Sequence, residues 1–186
     1  PGSAMLIFEC LRQAGLPAGV ANLVVGPTAT TYGPLMSSPT VRKVSLTGST
    51  QIGRQMIRDS ASTIKRLSME LGGNAPVVIF NDADIDKALD LSVATKFANS
   101  GQVCVTGDRF YVHEHCYQAF VEGFARRASQ LNVGYGLDEG TTMGPLINMK
   151  RLHAIEDIVT DARAKGGRVV TGGHRLELGG GYFYAP

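Results

Sequence analysis

At 186 residues the chain has room for one large or two small domains, with a sizeable core and no need of disulfide staples. Its 23 Gly and 8 Pro beside 44 % hydrophobic residues describe many tight turns between buried elements. With 18 Lys and Arg against 16 Asp and Glu the formal charge is +2, spread along the chain, which excludes the electrostatic footprint of a nucleic-acid or anionic-membrane partner.

Ala4 to Ala14 carries apolar residues at helical spacing and is closed by Gly15-Leu16-Pro17. A strand is expected at Asn22 to Val25 and another at Lys43 to Leu46, after which Gly48-Ser49-Thr50 opens a helix through about Ser60. Lys65 to Glu70 reads as a strand, and Ala75 to Phe80 as a short apolar run of the buried parallel type. Asp82 and Asp84 cap a helix toward Asn99, stopped by Ser100-Gly101-Gln102 just before Cys104. Further on come a strand at Arg109 to Val112 and helices at His115 to Leu131 and Asn148 to Lys165. Short strands at Arg168 to Thr171 and Tyr182 to Tyr184 complete the pattern. Strands alternating with helices predict an α/β fold with parallel sheet. The chain starts at the head of a helix without Met and stops in mid-strand, so a piece of a longer chain is expected.

No apolar run approaches the roughly 18 residues of a membrane span, and Pro1-Gly2-Ser3 has neither a basic n-region nor a cleavage site. The 3 cysteines, Cys10, Cys104 and Cys116, are an odd number at wide spacing. Together these features predict a soluble, cytoplasmic protein with at least one free thiol.

Four places could carry chemistry. Gly48-Ser49-Thr50-Gln51-Ile52-Gly53 follows an apolar strand and opens a helix, so its N–H groups suit an anion. Arg54-Gln55 stand where a phosphate-binding P-loop needs Lys and Ser or Thr, and on this segment alone an ordinary capped helix is the favoured reading. Glu70 ends an apolar strand, where burial would raise its pKa toward the range of a general base, although a strand-end Glu is more often merely solvated. Cys104 lies in a polar, Gly-bearing loop, Asn99-Ser100-Gly101-Gln102-Val103-Cys104, which suits a nucleophile, whereas packing is the better reading of Cys10 and Cys116. His113, His115 and Cys116 cluster without metal-ligand spacing, and a surface corner is the simpler reading; no metal is expected.

Five motifs then stand in order and at matching separations: Leu46-Thr47-Gly48-Ser49-Thr50-x-x-Gly53, Glu70-Leu71-Gly72-Gly73-Asn74-Ala75-Pro76, Asp82-Ala83-Asp84, Gly101-Gln102-Val103-Cys104 and Gly144-Pro145-Leu146-Ile147. In these the chain resembles the aldehyde dehydrogenase superfamily over essentially its whole length, in detail most like the branch that oxidises succinate semialdehyde. The resemblance implies an incomplete aldehyde dehydrogenase-like fold. Residues 1–70 would be the C-terminal part of a Rossmann-like NAD(P)-binding domain, and 71–186 the N-terminal part of the catalytic domain.

It also implies roles. Cys104 would be the nucleophile, Glu70 the general base, and Gly48, Ser49, Gly53 and Leu71 part of the NAD or NADP site. An ordinary thiol is only a few per cent thiolate at neutral pH, so Cys104 needs activation. Its attack on a small-molecule aldehyde would form an oxyanion held by the Cys104 N–H and a side-chain amide, then a thioester that a Glu70-activated water hydrolyses.

Departures limit the likeness. Pro27 to Tyr32 interrupts the glycines that members carry after the Val24-Val25 strand, Leu46 replaces a common Phe, and Ala98 stands where members that grip succinate semialdehyde have an Arg. Without that cation a substrate carboxylate loses a charge-assisted contact. The family's cofactor strand, its oxyanion Asn, its Glu-x-Phe-Gly-Pro segment and its oligomerisation hairpin lie outside these residues. The isolated chain is therefore expected to be inactive and its parent a homo-oligomer. The alternative is a noncatalytic binding or interaction module; esterase-like chemistry at Cys104 without cofactor is a third possibility.

Overall fold

The two longer strand pairs of this α/β chain each follow from a connection long enough to carry a helix between parallel strands. A computed structural model describes residues 1–186 as two compact units, Pro1–Leu71 and Gly72–Pro186. No helix is long and apolar enough to cross a membrane.

In the first unit α1 (Gly2–Gln13) and α2 (Thr28–Ser37) precede β1 (Lys43–Gly48), α3 (Thr50–Ser60) and β2 (Arg66–Leu71). Strands β1 and β2 pair in parallel, from Lys43 opposite Arg66 to Gly48 opposite Leu71. Along β2 the side chains alternate: Leu67, Met69 and Leu71 are half-buried, while Arg66, Ser68 and Glu70 are exposed. The Ser49 hydroxyl accepts the Ile52 N–H at 3.3 Å and so starts α3. Gly53 lets α3 rest closely on β2: a Cβ there would lie 3.0 Å from Leu71 Cδ2 and push that side chain aside. The buried apolar side chains of this unit are Met36 and Met56. Polar ties supplement them. Lys65 is buried and its Nζ donates to the carbonyls of Ser38 at 2.5 Å and Val41 at 2.8 Å, and Tyr32 Oη donates to Asp59 at 2.6 Å.

The second unit contains β3 (Ala75–Ile79), α4 (Ile85–Phe97), β4 (Gly107–Val112), α5 (Glu114–Ser129), α6 (Met149–Ala164), β5 (Arg175–Leu176) and β6 (Phe183–Tyr184). Strands β3 and β4 are parallel, and β5 and β6 form a short antiparallel pair. The Asp84 side chain caps α4 by accepting the Lys87 N–H at 3.1 Å. Ile79, Leu89 and Phe120 are the buried centre of one core, with Val77, Phe110 and Phe124 packed around them. Leu146, Leu152 and Tyr184 centre a second core against α6. Arg127 of α5 bridges to Asp86 at 2.8 Å and Asp90 at 2.7 Å on α4.

Four readings of the sequence are corrected. Asn22 to Val25 and Arg168 to Thr171 have apolar strand composition but no partner strand, and Val24, Val25 and Val170 are exposed. Pro27 to Tyr32, read as part of the turn after Val24-Val25, instead opens a helix, Thr28–Ser37: Pro27 sits at its N-cap, where its missing N–H costs nothing, and Pro34 lies inside it. Cys10, read as packed, is exposed because α1 buries none of its residues.

Candidate functional site

Five of the residues singled out above meet at one edge of the first unit. Gly48 and Leu71 end their paired strands opposite one another, Glu70 precedes Leu71 opposite Thr47, and Ser49 begins α3 immediately beyond Gly48. The C-terminal end of a parallel pair, with a helix starting there, is where α/β proteins receive ligands. The Ser49 cap takes the Ile52 amide, leaving the earlier first-turn amides of α3 without intrahelical acceptors. A Cβ at Gly48 would come within 3.3 Å of Leu46 Cδ1, and Gly53 is closed against Leu71. The edge thus offers first-turn amides of α3 beside Gly48, donors of the kind an anionic phosphate takes. Glu70 is exposed, as a strand-end carboxylate usually is, since period-2 alternation turns it away from the half-buried face of β2.

Cys104 belongs to the second unit. Helix α4 ends at Phe97, and Ala98–Gly101 forms one tight 3₁₀ turn whose backbone curls left-handed, with φ of 49° at Asn99, 58° at Ser100 and 73° at Gly101. A Cβ at Gly101 would lie 3.1 Å from the Lys96 carbonyl, so that position needs glycine for both its φ and its space. Beyond it, Val103 to Thr106 makes a turn closed by the Thr106 N–H to the Val103 carbonyl at 3.1 Å. The buried Thr106 hydroxyl ties this turn back to the Thr95 carbonyl at 2.8 Å. Cys104 is exposed at the turn, a free thiol whose N–H has no protein acceptor. It is therefore open to an electrophile on a loop fixed at both ends.

The opposite wall of that loop comes from a segment the sequence does not connect to it. Ser100 Oγ donates to the Gly144 carbonyl at 2.7 Å. Gln102 Oε1 accepts the Ile147 N–H at 3.0 Å, and Gln102 Nε2 donates to the Asn99 carbonyl at 3.1 Å. Sequence reading noted both motifs, but no spacing rule signals that two loops over 40 residues apart will meet (|i−j| of 44 for Ser100 to Gly144). Ala98 is exposed, and Lys96 is paired with Asp108 at 2.5 Å.

Cys116 is buried, its Sγ 3.7 Å from the Phe80 carbonyl, and His113 accepts the His115 N–H to begin α5. No three His, Cys, Asp or Glu side chains are grouped to share a metal ion.

Residues 1–186 match the family described as "Aldehyde dehydrogenase family". The chain is 48 % identical over 183 residues to the NADP(+) succinate-semialdehyde dehydrogenase GabD of Escherichia coli, covering 98 % of this chain and 38 % of that one. It is 44 % identical over 186 residues to a glutarate-semialdehyde dehydrogenase of Pseudomonas putida, covering 100 % of this chain and 38 % of the relative. Among solved structures, a succinate-semialdehyde dehydrogenase from Burkholderia pseudomallei superposes with a TM-score of 0.94 at 44 % identity, over 99 % of this chain and 38 % of that one. The chain thus spans about 38 % of the length of these relatives, and across that span it belongs to the aldehyde dehydrogenase family.

Proposed function

We propose that the chain supplies the thiol nucleophile, the general base and part of the cofactor site of an NAD(P)-dependent oxidation of an aldehyde to a carboxylic acid. The exposed Cys104 thiol on a loop pinned at Thr106, Ser100 and Gln102 carries this reading. The Cys104 sulfur adds to the aldehyde carbon, and its unpaired N–H stands as one donor for the developing oxyanion. When bound, NAD or NADP supplies the hydride acceptor that turns the adduct into a thioester. Gly48, Ser49, Gly53 and Leu71 would hold that cofactor through backbone N–H groups and close approach. Glu70, open to solvent, accepts the proton of the water that hydrolyses the thioester. In this reading 1–70 belongs to the cofactor domain and 71–186 to the catalytic domain.

The relatives' names favour a semialdehyde as substrate, but Ala98 offers a distal carboxylate no cation. The substrate is accordingly an aldehyde whose far end is not gripped by charge at position 98.

The test is a chimera in which these 186 residues replace the matching segment of the E. coli relative. It should form NADPH from aldehyde, and Cys104→Ala should lower that rate by about 10³-fold or more. A chimera unaffected by Cys104→Ala would refute the nucleophile assignment. Glu70→Gln should slow turnover by about 10²-fold or more while a thioester accumulates on Cys104. Ala98→Arg should lower KM for succinate semialdehyde by about tenfold and leave butanal unchanged.

One feature favours a second reading, a noncatalytic interaction module: α1 exposes Met5, Leu6 and Ile7 on its surface. Sedimentation of the chain as a clean monomer would remove it.

A further inference from the structure

Taking Cys104 as the nucleophile, we infer that Gln102 and Ser100 are positioning residues, and that the Gly144–Ile147 segment acts through them as a clasp that aims Cys104 at a carbonyl carbon. Left-handed backbone at Asn99 and Ser100 is unfavourable for side-chain-bearing residues and persists only where surrounding bonds over-determine it. The clasp supplies those bonds. Gln102 is placed to use both ends of its amide, since Oε1 takes the Ile147 N–H while Nε2 gives to the Asn99 carbonyl. Asn99 returns the bond from its Nδ2 to the Gln102 carbonyl at 3.2 Å, so the turn is tied across itself and to the second loop. The Ser100 hydroxyl adds a tie to Gly144 at 2.7 Å and a longer one to Pro145 at 3.3 Å.

On the other side, the Thr106 hydroxyl anchors the chain to the end of α4. Between these anchors only Val103, Cys104 and Val105 remain, and Val105 is exposed. The direction of the Cys104 sulfur and of its N–H is therefore set by where Gln102 is held. Addition to a carbonyl needs both sulfur trajectory and oxyanion donor, whereas alkylation at a saturated carbon needs only an accessible thiolate. The clasp should govern the first reaction and not the second.

The two reactions can be compared in the chimera with the E. coli relative, which supplies the remaining residues of the site. With p-nitrophenyl acetate the Cys104 sulfur bonds to the acetyl carbon, its proton passes to solvent, and the carbon–oxygen bond breaks to release p-nitrophenolate. Acetylation and iodoacetamide alkylation are each followed at the Cys104 peptide by mass spectrometry, with exposed Cys10 as internal control. Gln102→Met should slow acetylation about tenfold and change alkylation less than twofold. Ile147→Pro, which removes the N–H that Gln102 accepts, should give a similar loss, and the double variant should be no slower than the slower single one. Gln102→Glu, which keeps the Ile147 bond and loses the donor to Asn99, should fall between. Equal acetylation by the unaltered chimera and its Gln102→Met variant would overturn the clasp, as would equal slowing of acetylation and alkylation or additive losses in the double variant. If the unaltered chimera takes no acetyl group at Cys104, the nucleophile reading itself fails and the clasp with it, an outcome distinct from the others.

Discussion

The two units of this chain are held by different kinds of force. In the second, Ile79, Leu89 and Phe120 and then Leu146, Leu152 and Tyr184 form two apolar centres, with Phe110, Phe120 and Phe124 in mutual ring contact at 5.3 to 6.0 Å. In the first, two methionines are the buried apolar side chains, and a buried lysine and a tyrosine–aspartate pair tie the helices and loops. Packing answers to volume, and polar ties answer to partners and protonation. The candidate chemistry divides in the same way: a nucleophile on a pinned loop in the well-packed unit, and an open backbone edge in the sparsely packed one.

Core truncation is the strongest way to break the contrast. Phe120→Ala should cost the second unit about 4 kcal/mol, while Met56→Ala should cost the first about 2 kcal/mol, because fewer buried neighbours surround it. Hydrogen exchange resolved by segment in a urea series would read the two separately; equal losses would show that the first unit has a core as demanding as the second. A smaller effect should follow from Lys65→Met, which keeps the apolar stem and leaves the Ser38 and Val41 carbonyls without their donor. That change should cost about 1.5 kcal/mol, confined to exchange within Pro1–Leu71.

How far the sequence could be read follows the same division. Helices α3 and α4 were legible because Ser49 and Asp84 are N-caps whose side chains accept first-turn amides, of Ile52 and Lys87. Strands β1 to β4 were legible as apolar runs that find partners within the chain. Val24-Val25 and Val169-Val170 carry the same signal without a partner, and composition alone cannot tell a paired strand from an unpaired one. Helix α2 was hidden by Gly33 and Pro34, which look like punctuation yet sit inside it. At the site, Cys104 stood out by its polar loop, but the clasp from Gly144–Ile147 is long-range and left no local trace. Glu70 was legible as a solvated strand end, while which face of β2 is covered depends on α3 resting over Leu71, which no local pattern announces.

The smallest expected effect, and the one that sharpens the contrast most, is on pH. Burial first, and then the bond to Asp59, push the Tyr32 hydroxyl up to about 12 from its ordinary value of 10.0. Between those values the folded chain holds a proton that the unfolded chain has lost. The stabilisation from Tyr32 is therefore complete below about 10 and disappears as pH rises toward about 12. Asp59 is displaced the other way, held below the usual carboxylate range by the Tyr32 hydroxyl and then by Gln55. Its contribution is present above the ordinary carboxylate value and is lost as pH falls through the lowered one. Tyr32→Phe should thus flatten the stability profile of the first unit at both ends. In the second unit Tyr184 is also raised, by burial and then by Glu156, but no hydrogen bond to a carboxylate joins it. Tyr184→Phe should therefore flatten only the alkaline limb there. Segment-resolved exchange from pH 3 to 11 distinguishes the two, and an acid limb of the first unit that survives Tyr32→Phe unchanged would show that the Tyr32–Asp59 tie does not hold α2 to α3.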